Sequence, residues 1–80
     1  MKLPRDLSGQ ALARALRALG YEVTRQSGSH LRLTTVHNGE HHLTVPRHAA
    51  LRAGTLSGIL GDVGRHHGLE RETLLTTLFG

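Results

Sequence analysis

The hydrophobic period of this chain changes twice, and few folds accommodate both changes. Leu12, Leu16 and Leu19 recur at i, i+4 and i+7, with Ala11 and Ala15 widening the stripe and Gln10, Arg14 and Arg17 opposite. That is an amphipathic helix. Ser8 is placed to cap it, Leu7 and Leu12 hold the staple positions, and Gly20 stops it, so the spacing predicts a helix over 8–19. After Gly20 the period falls to two. Tyr21 and Val23 alternate with Glu22 and Thr24, Leu31 and Leu33 with His30, Arg32 and Thr34, and Leu43 and Val45 with His42 and Thr44. These are three short strands, each apolar on one face. Pro46 lacks an amide proton and ends the third. Residues 47–54 read as a loop or a short turn of helix. The helical period then returns, with Thr55 as a cap and Leu56, Ile59, Leu60 and Val63 on one stripe. A short helix over 71–79 carries Leu74, Leu75 and Leu78.

Face parity gives a register, because directly paired residues share a face. Val23 opposite Leu31 makes Gln26-Ser27-Gly28 the first loop. Leu33 opposite Leu43 makes His37-Asn38-Gly39 the second. Each ends in the glycine that a three-residue turn with a bulge needs in the left-handed region. Gly58 and Gly61 weaken the second helix and leave room for close packing on the sheet. The expected architecture is therefore α+β: α-β-β-β-α, a three-stranded antiparallel sheet with helices on one face, plus a short C-terminal helix. It forms a single domain over residues 1–80. The other sheet face stays wet and carries Glu22, Thr24, His30, Arg32, Thr34, His42 and Thr44.

Composition narrows the function classes. Ten Lys and Arg against six Asp and Glu give +4, a mild lean towards a polyanion. The lack of cysteine excludes disulfide scaffolds and Cys-ligated zinc, and fits a cytoplasmic location. Tyr21 and Phe79 are the only aromatics, too few for a base-stacking sheet. No run approaches the about 18 apolar residues of a membrane span, and no signal region follows Met1-Lys2. The carboxylates are scattered and the histidines match no zinc spacing, so no metal and no cofactor are expected.

Seven histidines in 80 residues are many. His66 and His67 end the second helix, and His37 and His41 lie in or beside a hairpin loop; all four read as solvated surface. His42 faces the open side. His30 follows Gly28-Ser29 at the expected bulge and faces the same side; spacing alone favours an ordinary exposed strand histidine. His48, after Val45-Pro46-Arg47, either orders its loop or approaches the open surface.

One set of motifs goes further. Ser8-Gly9 opens the leucine-patterned helix and Gly20-Tyr21 leads into the first strand. Arg25-Gln26-Ser27-Gly28-Ser29-His30 follows, then Val45-Pro46-Arg47-His48, then Gly54-Thr55-Leu56 with Ile59-Leu60. In this order over residues 8–64 they resemble the HicA-type toxins, small mRNA interferases of type II toxin–antitoxin systems. The resemblance implies a fold like a double-stranded-RNA-binding domain. It implies mRNA cleavage, with His30 at the position of the active-site histidine. It also implies a HicB-type antitoxin as partner. Cleavage needs an acid/base group, for which His30 is the candidate, and cations on the phosphate. Arg32 is the first such candidate, with Arg25, Arg47, His48 and His42 behind it. Glu70 departs from the pattern as a poor helix cap. A non-catalytic RNA-binding module or a partner-docking domain of the same fold is the alternative.

Overall fold

The computed structural model describes residues 2–80. Helix α1 spans Gly9–Ala15 and tightens into a 3₁₀ turn over Leu16–Leu19. Strands β1 (Glu22–Ser27), β2 (His30–Thr35) and β3 (His41–Pro46) follow, then α2 (Ala53–His67) and α3 (Arg71–Phe79). The strands form an antiparallel sheet in the order β1-β2-β3. The α+β architecture is thus as the periodicity implies. Leu31, Leu33, Leu43 and Val45 point to the helix-covered face and are buried with Leu12, Leu16, Tyr21, Leu56, Leu60, Val63, Leu74 and Leu75.

Local chemistry accounts for the first helix. Ser8 Oγ accepts the Ala11 amide at 3.0 Å, and Leu7 packs against the core. Gly20 ends the helix at φ 83°, which lets the Tyr21 amide reach back to Leu16 O at 3.2 Å. That reversal draws the last turn into 3₁₀ geometry and drops Tyr21 into the core.

The β2–β3 register places Leu33 opposite Leu43 as expected, although the ladder stops at Thr35–His41 and leaves residues 36–40 as the connection. Asn38 and Gly39 both take positive φ there, 58° and 96°. The β1–β2 register differs from the expectation. Val23 faces Leu33, not Leu31, and Ser27 faces His30 across a two-residue turn, Gly28-Ser29. The extra residue is absorbed by a bulge between Val23 and Arg25. Two contacts explain the change. Arg47 grips the turn, its guanidinium donating to Gly28 O at 3.1 Å and its amide to Ser29 O at 2.8 Å. Thr24 Oγ1 holds the bulge by bonding Thr34 Oγ1 at 2.9 Å. Gly28 consequently needs no left-handed conformation.

Helix α2 begins at Ala53 with Arg52 as its cap, so Thr55 lies inside the helix. Leu51 is buried, and its amide bonds Leu7 O at 2.7 Å; the helix starts directly after that anchor. Nothing crowds Gly58, and Gly61 meets only the end of the Arg65 side chain. Within α2 the close approach is instead at Gly64, under Leu69 O and Leu74, and a tighter one lies at Gly9. A Cβ on Gly9 would run into the carbonyl oxygen of Pro46.

The four histidines expected to be solvated are tied together. Tyr21 Oη lies 2.7 Å from His41 Nδ1 and 3.0 Å from His67 Nε2. His41 Nε2 lies 3.2 Å from Asp62 Oδ1. His66 Nε2 sits 3.0 and 3.1 Å from the carbonyls of His37 and Gly39, and its ring stacks on His41 with centroids 4.3 Å apart. The His37 ring packs over Gly20. Proton bookkeeping fixes the neutral network. Asp62 only accepts, so His41 donates from Nε2. Its Nδ1 then accepts the Tyr21 proton, and Tyr21 accepts from His67. The end of α2, the β2–β3 loop and the start of β1 are thereby clasped around one buried hydroxyl. Burial, with Asp62 nearby, pushes that hydroxyl up to about 12.

Two expectations follow. Gly9→Ala, which would favour a free helix, should instead destabilise this fold by about 1–3 kcal/mol through overpacking, measured by urea unfolding. The second concerns acid. Burial, then repulsion from His66, His41 and His37, holds the His67 imidazole below its ordinary value. An unfolded histidine titrates near about 6.5, so below that pH the unfolded chain binds the extra proton first. Stability should be complete above about pH 6.5 and fall as pH drops below it. The urea midpoint should decline from pH 7 to pH 5. His67→Gln, which keeps a donor for Tyr21, should decline less; an equal decline would rule out His67 as the source.

Candidate functional site

His30 opens β2 and is exposed, with Ser27 on one side and Pro46 on the other. Its Nδ1 lies 3.1 Å from Ser29 Oγ. A hydroxyl can donate or accept, so Ser29 can hold either neutral tautomer of the ring. Nε2 then presents a bare lone pair or a proton. That is the property an acid/base group requires.

Arg32 lies two residues along β2 on the same open face. Its direct partner on β1 is Arg25. Strict alternation from Val23 would send Arg25 to the core side; the bulge at Thr24 turns it back. Two guanidiniums opposite one another repel, a destabilising pairing in a sheet. Among the described residues neither side chain has a hydrogen-bond or salt-bridge partner. The bulge expected at Gly28 is absent, and the sheet carries one at Thr24 instead. The available signal was a charged residue at a position that alternation would bury.

Arg47 and His48 leave β3 beside this corner. Arg47 uses one arm of its guanidinium on the Gly28 carbonyl, which fixes the turn carrying Ser29 and His30. His48 is exposed, and its carbonyl accepts the Gly9 amide at 3.0 Å. Together with Ser8, Gln10 and Ser29 these two residues line a groove of about 500 Å³ at the end of the sheet.

His42 shares the open face but not this corner. It pairs with Thr34, four residues beyond His30, or about 13 Å along the strand. Both ring nitrogens are engaged, Nδ1 with Thr34 Oγ1 at 2.8 Å and Nε2 with Glu40 Oε2 at 2.9 Å. The structure thus brings together His30, Arg32, Arg25 and the Arg47–His48 loop, and leaves His42 apart. Among the described residues, no group of three or more His, Asp or Glu side chains is arranged to hold a metal ion. No helix among them is long and apolar enough to cross a membrane. An exposed imidazole beside unpaired cations can bind a phosphodiester and move a proton at it.

Neither a curated protein nor a solved structure matches the chain. A family model does, described as HicA toxin of bacterial toxin-antitoxin, over residues 9–65. That span starts at the glycine under Pro46 and ends in α2, so it contains every residue of the His30 corner except Ser8. The chain belongs to the HicA toxin family.

Proposed function

We propose that this toxin is an endoribonuclease that cuts mRNA in the cytoplasm without a metal, with His30 as its acid/base residue, and that a HicB-type antitoxin neutralises it. The observation that carries the proposal is the Arg25–Arg32 pair beside the exposed His30. Such a pair is unfavourable until an anion lies across it, and a phosphodiester chain is an anion of suitable length.

RNA supplies its own nucleophile. The 2′-oxygen attacks the adjacent phosphorus, the O2′–P bond forms, and the P–O5′ bond breaks. The 2′-hydroxyl proton must leave and the departing 5′-oxygen must gain one. His30 Nε2 takes or gives one of these protons, a contribution typically of about 10²–10⁴-fold. Water fills the other role. Arg32 and Arg25 stabilise the negative charge that grows on the phosphorane. Arg47 and His48 hold the neighbouring phosphate along the sheet-end groove. An antitoxin that covers this face excludes the RNA.

Purified protein is therefore expected to cleave RNA in EDTA. His30→Ala should cut at least about 100-fold more slowly while melting like the wild type. Cleavage by His30→Ala at the wild-type rate would show that another group does the chemistry. Retention of RNA by the wild type without cleavage would favour the non-catalytic module. A second test uses Arg25→Thr. It should weaken RNA binding and lower the slope of log affinity against log salt by about 0.7, one single-strand phosphate contact. It should also leave the fold as stable or slightly more stable, since the like-charge pairing is gone. A loss of stability would mean that Arg25 has a structural partner.

A further inference from the structure

The helices leave one strand uncovered. All six residues of β1 are exposed, whereas β2 and β3 contain buried positions. The sheet order makes β1 an edge, so its outer row of amides and carbonyls has no strand partner. Beside it, under α1, runs a groove of about 280 Å³. Ala13 and Leu31 form its apolar floor, and Val23 forms one wall. Val23 points to the side of the sheet where the core lies, yet it is 46% exposed. Gln26, brought to this side by the bulge, adds an amide that can donate and accept. Arg14 and Arg17 stand on the helix wall. Neither makes an ion pair or side-chain hydrogen bond among the described residues, and no carboxylate lines the groove.

We propose that the free edge of β1 and this groove dock an extended, acidic segment of the antitoxin. The inference rests on the toxin–antitoxin reading above and says where the partner binds. A strand laid on β1 would satisfy the open backbone row, the usual mode of peptide recognition by an exposed sheet edge. Its alternate side chains would cover Val23, and its carboxylates would meet Arg14 and Arg17. RNA could neutralise the two arginines, but it offers nothing to Val23 or to the backbone row. A second copy of this chain suits poorly, since it would bring a further +4 against the same cations. The added strand would lie about 10 Å from β2, two strand spacings away. Arg25 lies on β1 itself, so a strand added there stands directly beside the Arg25–Arg32 pair and hinders RNA at it. Docking at the edge thus hinders RNA at the cationic pair without any contact to His30.

The test uses the protein encoded by the adjoining reading frame as the binding probe, titrated calorimetrically. Val23→Glu and the double variant Arg14→Glu/Arg17→Glu should each bind it at least about tenfold more weakly than the wild type. Both should cut RNA at the wild-type rate and melt near the wild-type temperature. His30→Ala should bind the probe as the wild type does. Equal binding by wild type and both groove variants would place the partner elsewhere, overturning the inference while sparing the toxin reading. Failure of the wild type to bind would overturn that reading and the inference with it. Impaired RNA cleavage with unchanged partner binding would make the groove an RNA surface. Should Val23→Glu unfold, the arginine variant, altered only on exposed helix positions, carries the test.

Discussion

The backbone of the first helix touches the end of the third strand at Gly9, and the placement of the His30 corner follows from that contact. Any side chain at Gly9 would strike the Pro46 carbonyl. With none there, the Gly9 amide reaches the carbonyl of His48, and Leu7 accepts the amide of Leu51. The 47–51 loop is therefore held between helix and sheet. Arg47, at its start, grips the Gly28-Ser29 turn through two hydrogen bonds. The turn in turn presents Ser29 and His30. A packing constraint on one glycine is thus transmitted through backbone bonds to the imidazole that does the proposed chemistry. Positioning of this kind matters because catalytic groups lose much of their effect when displaced by about 1 Å.

The histidines divide by the end of the sheet they occupy. At the Thr35–His41 end, His41, His66 and His67 are committed to the Tyr21 hydroxyl, Asp62 and two carbonyls. His42 is committed to Thr34 and Glu40. These rings are structural polar groups whose partners leave them little freedom. At the other end His30 has only a serine hydroxyl, and His48 is exposed. The number of fixed hydrogen-bond partners separates the second group from the first. Arg25 and Arg32, unpaired among the described residues, lie towards this same end of the sheet.

Much of this was legible in the amino-acid order. The last helix runs over Arg71–Phe79 as the leucine spacing implies, and Leu33 meets Leu43 as face parity with a loop ending at Gly39 implies. Gly20 stops its helix in the left-handed conformation that its position suggests. The register of β1 was not legible, because it is decided by Arg47, which lies 19 residues from Gly28 in the chain. The histidine clasp was hidden for the same reason: His67 and Tyr21 are 46 residues apart. The start of α2 was misplaced because Leu51, not a capping hydroxyl, sets it. Strand parity put His30 on the wet face, but only the motif around it singled it out. Arg25 entered as a lesser candidate, and the bulge at Thr24 makes it the direct partner of Arg32.

The sheet thus has one end closed by the histidine hydrogen bonds and one end that exposes His30 and its arginines, with the open edge strand β1 beside the exposed end. In the proposed reaction His30 serves an attack by the RNA's own 2′-hydroxyl. The chemistry of the cut ends tests this most directly, read by mass spectrometry of a defined oligonucleotide after cleavage in EDTA. Attack by the 2′-hydroxyl leaves a 2′,3′-cyclic phosphate, or the 3′-phosphate it hydrolyses to, together with a 5′-hydroxyl. A 5′-phosphate with a free 3′-hydroxyl would mean that water attacked the phosphorus, and would contradict it.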